Sequence, residues 1–420
     1  MNRTHPSIKR PRKFLSRALQ LSLGGALALS TFAQDTGRLD KLEAENKALR
    51  ERLDSLETLA KKEGIVPTGT ETKSLKALSS MNVSGFVQAS YFYNTESPAD
   101  RFSDAYLWNT RDNSFSINKV KLTLASDALD KDKWDAGYRV SLIWGEDAPI
   151  LNTGGEAQGL EALREAFVNF NVPVGTGLDI KVGQLISLLN YESGDGGAAN
   201  NNFSQGYQWF YTGNGPSAGI QAGYAFNDMI DFKVRVQNGM YAGAFDNNDA
   251  KTVMAAIGIK PMEDLWLSLI GFGGHESDTM TVKGGSLLAG YQVVKPLNVG
   301  LEFDYFHFDM GAADGNLWSI GTFINYDITE KAGIALRAEY LDDADGVGFG
   351  FGPRGGSSFP AAPVTESEGD LASITLTFNY KPVPSLRIQP EIRYDRTSYN
   401  GGLDGEKDRF IVGAGVSYLF

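Results

Sequence analysis

Charged side chains recur at every second position along several short stretches of this chain. Asp231, Lys233, Arg235 and Gln237 interleave with Phe232, Val234 and Val236, and Arg387, Gln389, Glu391 and Arg393 interleave with Ile388, Ile392 and Tyr394. A period of two places charges on one face of a strand and apolar residues on the other. Lys119, Lys121, Arg139, Lys181 and Arg337 fit the same pattern, as do the acids Asp135, Glu165, Asp179, Glu302, Asp304, Glu339 and Asp395. The chemistry open to such a set is non-covalent. Opposed charges around a water-filled space sort solutes by charge and dipole. The plainer alternative is that neighbouring charges pair as struts, because an unpaired charge in a dry interior costs several kcal/mol.

Covalent chemistry has little to work with. The chain holds 3 histidines and no cysteine, so thiolate nucleophiles, disulfides and cysteine metal sites are excluded. His5 lies in a basic leader, which leaves His275 and His307, with Ser277 close to the former. Hydrolysis needs a base held in place by a third group, and no enzyme is expected. The acidic runs Asp246–Asp249 and Asp342–Asp345 could offer oxygens to Ca²⁺. Solvated acidic loops explain them more simply, so the expectation is no metal and no cofactor.

The elements that position these charges are strands. From Met81 onward, segments of about ten residues alternate in polarity. They begin near Val83, Ser114, Trp134, Leu163, Leu178, Ser217, Ile230, Thr252, Leu265, Gly284, Leu297, Asn316, Gly333, Leu371, Leu386 and Arg409. The connections alternate between short turns, such as Pro173–Thr176 and Lys295–Pro296, and long loops, such as Asn94–Asn113 and Ser187–Pro216. Two loops on the long side, near Glu276–Lys283 and Met310–Gly315, are shorter. The chain has 48 glycines, 17 tyrosines and 24 phenylalanines, which suits a β-rich wall with aromatic girdles. The expected fold is all-β, a 16-stranded antiparallel transmembrane β-barrel over residues 81–420, with 14 or 18 strands as alternatives. Pro390 cannot donate to a strand ladder, and a bulge or bend is expected there. Most strand aromatics, among them Phe170, Phe232, Phe303, Tyr305, Phe378 and Tyr380, fall on the apolar face; Phe167 is an exception.

Residues 1–33 read as a secretory signal peptide. Arg3, Lys9, Arg10, Arg12, Lys13 and Arg17 precede an apolar stretch from Ala18 to Leu29, and Thr31-Phe32-Ala33 offers a cleavage site. Without that segment 33 basic residues face 51 acidic ones, a net charge of −18, which argues against nucleic acid as a partner. Residues 34–63 form a short α-helical coiled coil by pattern. Leu39, Asn46 and Leu53 occupy a positions, and Leu42, Leu49 and Leu56 occupy d positions. The g-to-e pairs Arg38/Glu43, Glu45/Arg50 and Arg52/Glu57 are opposite in sign, as a parallel homo-oligomer requires. A polar Asn46 at a core position fixes register and strand number at some cost in stability. Residues 64–80, with Pro67 and Gly69, read as a linker.

The last strand alternates Phe410, Val412, Ala414, Val416, Tyr418 and Phe420 with the mostly small Ile411, Gly413, Gly415, Ser417 and Leu419. Its aromatic end resembles the assembly signal of Gram-negative outer-membrane β-barrels. Further in, Tyr191-Glu192, Asn202-Phe203-Ser204, Pro216–Gly219, Tyr224, Asn238-Gly239 and Asp246-Asn247-Asn248 resemble the OmpL-like β-barrel porin family over about Met81 to Phe420. The resemblance implies a channel in the bacterial outer membrane, with the coiled coil in the periplasm. Its implied partners are outer-membrane lipid, the barrel-assembly machinery, small hydrophilic solutes and other copies of the chain, with a homotrimer favoured. By likeness to general porins, the third long loop would fold into the bore and set Glu192 and Asp195 against Lys119, Lys121 and Arg139; a surface loop is the alternative. The implied activity is passive diffusion. A sugar- or anion-selective channel, or a closed adhesin or structural barrel, remain as alternative readings. A sugar channel would show an aromatic track along the bore, and here only Phe167 and the loop aromatics Tyr207, Trp209, Phe210 and Tyr211 qualify.

Overall fold

The computed structural model describes residues 81–151, 160–197, 199–240, 242–246, 248–311, 314–343, 345–346, 368–398 and 402–420, together with Lys47, Glu51, Arg52 and Ser55. The signal peptide, the linker and the seam positions Leu39, Leu42, Asn46, Leu49, Leu53 and Leu56 lie outside the described residues. Lys47, Glu51, Arg52 and Ser55 are helical and exposed. The chain divides into two units, Met1–Ser79 and Ser80–Phe420.

Sixteen antiparallel strands close into one barrel. They are β1 (Met81–Asn94), β2 (Ser114–Ser126), β3 (Asp135–Trp144), β4 (Leu163–Val172), β5 (Leu178–Leu185), β6 (Ser217–Ala225), β7 (Ile230–Gln237) and β8 (Thr252–Met262). The second half comprises β9 (Leu265–Ser277), β10 (Met280–Val294), β11 (Leu297–Asp309), β12 (Asp314–Asp327), β13 (Ala332–Asp343), β14 (Gly369–Val383), β15 (Leu386–Thr397) and β16 (Asp408–Leu419). The largest departure from the sequence expectation is β10, which starts at Met280 rather than Gly284. The loop expected there shrinks to a hairpin, because Met280 already pairs with Ser277 and Thr281 with His275.

Every backbone group of a wall in hydrocarbon needs an internal partner, and only a closed ladder provides one for strands. Here β1 and β16 make that closure, from Phe86↔Leu419 to Asn94↔Ile411. The terminal aromatic residue takes part: Gly85 N donates to Phe420 O at 2.9 Å, and Phe420 N donates to Gly85 O at 3.0 Å. A Cβ at Gly85 would sit 2.8 Å from the Phe420 ring, so the seam depends on a glycine opposite the last residue.

Alternation sorts the faces as the sequence implies. Phe303, Tyr305, Phe378, Tyr380, Val412 and Val416 are exposed on the outside, whereas Arg337, Thr375, Arg393 and Ile411, register partners around the inside, are buried. Among the bulges of the wall, two break the alternation beside the basic candidates. Gln88 pairs with Lys119 and Ala89 with Ile117, which leaves Asn118 as the extra residue. Ser141 pairs with Glu165 and Leu142 with Leu163, which leaves Arg164. At each bulge two successive polar side chains are buried, Asn118 with Lys119 and Arg164 with Glu165.

Pro390 causes no bulge. Its ring lies on the exposed face, and it pairs with Ala414 in unbroken register. On the other side the ladder lacks the pairs at 378/390 and 379/389, then resumes in the same register at Tyr380↔Ile388. In an antiparallel ladder one N–H serves both of those pairs, so its absence removes two pairs and shifts nothing.

Candidate functional site

The third long loop, residues 186–216, leaves β5 and returns to β6, yet most of its partners lie on β11 to β15. In a ring of sixteen strands, β13 and β14 are half a circumference away from β5 and β6. The loop therefore crosses the bore. Its backbone is caught by wall carboxylates. Glu302 accepts from Tyr191 N at 2.9 Å and from Asn190 Nδ2 at 3.0 Å. Glu391 accepts from Phe203 N at 2.7 Å and Ser204 N at 3.1 Å. Glu339 accepts from Tyr207 N at 3.3 Å and Gln208 N at 3.0 Å, at the start of the one-turn helix Tyr207–Tyr211. Asp304 accepts from Gln208 Nε2 at 2.9 Å and Thr212 Oγ1 at 2.8 Å.

The two loop acids pair with different walls. Glu192 meets Arg337 at 2.6 Å, and Arg337 also reaches Glu339 at 3.0 Å and the Ser204 carbonyl at 2.7 Å. Asp195 pairs with Lys121 on β2 and lies 3.9 Å from Arg164 on β4. Burial pushes the Asp195 carboxyl up, but Lys121 and Arg164 outweigh it and hold the group below the usual carboxylate range. The expected single opposition of Glu192 and Asp195 to Lys119, Lys121 and Arg139 is therefore met only by Asp195 and Lys121. Lys119 pairs with Asp147 of the second loop at 2.9 Å, and Arg139 with Glu165 on the next strand at 2.7 Å. A buried charge demands a partner within reach, and for these two bases the nearer acid wins.

All nine basic candidates point inward, but loops cover most of them. Lys119, Lys121, Arg235, Arg337, Arg387 and Arg393 are buried, whereas Arg139, Lys181 and Lys233 keep partial exposure. Lys181 Nζ lies 5.1 Å from the Phe167 ring centre, and Lys233 meets Asp231 at 2.7 Å. Arg235 is held by Gln221 Oε1 at 2.7 Å and the Ile186 carbonyl at 2.7 Å, and Arg387 by Asn379 and Asn201 at 2.8 Å each. Arg393 meets Asp395 at 2.6 Å. The Asp135 carboxylate sits at a turn, where it accepts from Asp130 N at 2.9 Å.

The first and last loops also enter. Tyr106 donates to Asp395 at 3.2 Å, and Arg393 and Arg409 stack on its ring at 4.5 and 4.7 Å. Arg409 also joins Asp404 of the last loop to Asp395. Trp108 lies beneath the Lys119 ammonium at 4.0 Å and against Trp209 at 4.2 Å. Small wall residues seat the third-loop aromatics: a Cβ at Gly415 would fall 1.9 Å from the Phe203 ring, and one at Gly300 would fall 2.3 Å from the Tyr191 ring. Tyr191 lies between Phe323, at 4.5 Å and 20°, and Trp266, at 5.9 Å and 9°.

Sequence reasoning missed Arg164, Arg409, Trp266 and Phe323 as inward residues. The doublet Arg164-Glu165 was the signal of a bulge, and Arg409 follows from the period set by Ile411. Trp266, between Leu265 and Leu267 on an apolar-outward strand, could have been placed inward by alternation. The histidines lie apart: His275 Nδ1 is 2.9 Å from Thr281 Oγ1, while His307 meets Asp314 and Asn316 at 3.0 Å each.

Three outer-membrane protein structures share the fold. An anion-selective porin from Comamonas acidovorans matches with a TM-score of 0.54 at 11% identity, over 81% of this chain and 99% of that one. The outer-membrane channel DcaP of Acinetobacter baumannii gives a TM-score of 0.53 at 14% identity, over 81% and 97%. OmpT of Vibrio cholerae gives 0.52 at 11% identity, over 81% and 99%. No curated protein sequence matches the chain. Residues 80–420 match the family model described as "Putative beta-barrel porin-2, OmpL-like". With this match spanning the whole barrel, the chain belongs to the OmpL-like beta-barrel porins, channel proteins of the bacterial outer membrane.

Proposed function

We propose that this barrel is a passive diffusion channel for small hydrophilic solutes. One observation carries the reading. The third loop is strapped to the β11–β15 wall and leaves the inward residues of the opposite wall, Arg139, Asn169, Asp179, Lys181, Asp231, Lys233 and Ser268, partly exposed. A polar, half-covered wall beside a fixed strap is what a hydrated, narrowed passage requires. Glu192 and Asp195 act as constriction-loop anchors in this reading, and Arg139, Lys181 and Lys233 are the bases that solutes meet. An anion preference is the second reading. It is supported by Lys181, a partly exposed base whose described contact is the Phe167 ring rather than a carboxylate.

The assembly is a homo-oligomer, with a trimer favoured; the similar OmpT structure is of a form described as a trimer. Residues 34–63 would join the copies as a periplasmic coiled coil, its heptads from Arg38 to Lys62 making a rod of about 37 Å, after removal of residues 1–33 and ahead of the linker 64–80. Liposome swelling tests the function. Vesicles carrying the protein should swell in polyols and sugars at rates that fall with solute size. Rates equal to those of empty vesicles for every solute would refute it.

A further inference from the structure

We infer that Trp266 is a stacking station for solutes that carry an aromatic ring, on the bore wall near the end that holds both barrel termini. The inference rests on the reading of the bore as a water-filled passage. Trp266, Gly290, Gly300 and Phe323 occupy one row of the ladder across β9 to β12. The two central glycines leave a floor without side chains between two rings. A Cβ at Gly290 would sit 2.3 Å from Trp266 Nε1, and one at Gly300 would sit 2.3 Å from Tyr191 Cζ, so both rings lie against bare backbone. Tyr191 of the third loop fills the gap, and Phe323, Tyr191 and Trp266 form one pile with interplanar angles of 20° and 9°.

The pile is closed at one end and open at the other. Phe323 is 4% exposed, whereas Trp266 is 41% exposed on an inward position. In the next row the inward residues beside it are Ser268 and Gly258 on one side, with the Asp231 carboxylate lying over Gly258, and the buried Leu288 on the other, so the open face of the indole is the one turned from Tyr191. An aromatic surface of this size facing water gains from covering by a flat ring, and offset-stacked rings gain beyond the area they bury. Two features favour an aromatic ring over a sugar. The adjacent row positions Gly290 and Gly300 offer no side-chain partner for hydroxyl groups, and the rings already in the pile are nearly parallel.

The test uses the full chain in planar bilayers, with L-phenylalanine as probe and L-leucine and glucose as comparators. The potassium chloride current is recorded first. L-phenylalanine should reduce the current at concentrations where L-leucine and glucose leave it unchanged. Trp266→Ala should weaken that block about tenfold, and Trp266→Phe should restore most of it. If Trp266→Ala fails to insert, Trp266→Leu against Trp266→Phe makes the same comparison. Equal block by all three probes, or block indifferent to the ring at 266, overturns the station while leaving the channel. A correctly inserted wild-type protein that carries no current overturns the channel reading, and the station with it.

Discussion

Replacing Arg337 with methionine should loosen the middle of the third loop while leaving the barrel standing. The guanidinium is fully buried. It pairs with Glu192 at 2.6 Å and Glu339 at 3.0 Å, and it donates to the Ser204 carbonyl at 2.7 Å. Methionine keeps most of the volume but strands two carboxylates near one another. Removing one partner of a buried pair costs about 3–5 kcal/mol, a factor on the order of a hundred to a few thousand in the strapped population. The flanking anchors at Glu302 and Glu391 remain, so the loop should bow away between them rather than leave the bore. β13 keeps its backbone ladder to β12 and β14, and the folded barrel should still resist detergent denaturation. Single-channel recording should show larger and noisier conductance than wild type. Adding Glu192→Gln should quieten it in part, because the stranded charge is gone, and the two substitutions should be strongly non-additive. Conductance and noise identical to wild type in Arg337→Met would refute the strap.

Three further outcomes follow from the same geometry. Gly415→Val should expel Phe203 from its seat, since even a Cβ there would lie 1.9 Å from the ring, and Phe203→Ala should compensate; protease cleavage within 186–216 reads the displacement. The Asp195 carboxyl is held below its ordinary range, so its pairing with Lys121 contributes at and above that range and is lost only as pH falls through the lowered value. Noise from loss of this pair should therefore appear only below about pH 4, after any noise from Glu192, whose carboxyl burial pushes up, and Asp195→Asn should be noisy at neutral pH. Deleting 34–80 should reduce subunit crosslinking, and crosslinking unchanged by the deletion would remove the proposed role of the coiled coil.

The wall was legible in the sequence because a period of two and the turn-loop rhythm are local. Strand starts such as Ser114, Leu163 and Arg409 fall at or next to their observed positions. The interior was less legible because it is decided across the bore. Nothing near Glu391 or Glu339 in sequence reveals that each receives two loop N–H groups from residues 203–208. Of the inward acids, Glu302, Asp304, Glu339 and Glu391 anchor the strap, whereas Asp179 and Asp231 keep partial exposure. The bulges at Asn118 and Arg164 add a further limit, since one extra residue reverses the inward and outward assignment beyond it. Gly413 and Gly415 stand in the sequence only as small residues of the last strand. Gly415 seats the Phe203 ring, which only the folded loop could show.

The most direct measurement is ion conductance of the purified wild-type protein in a planar bilayer. The account predicts discrete open steps at neutral pH that persist without any added ligand. A correctly folded and inserted barrel that passes no current would contradict it.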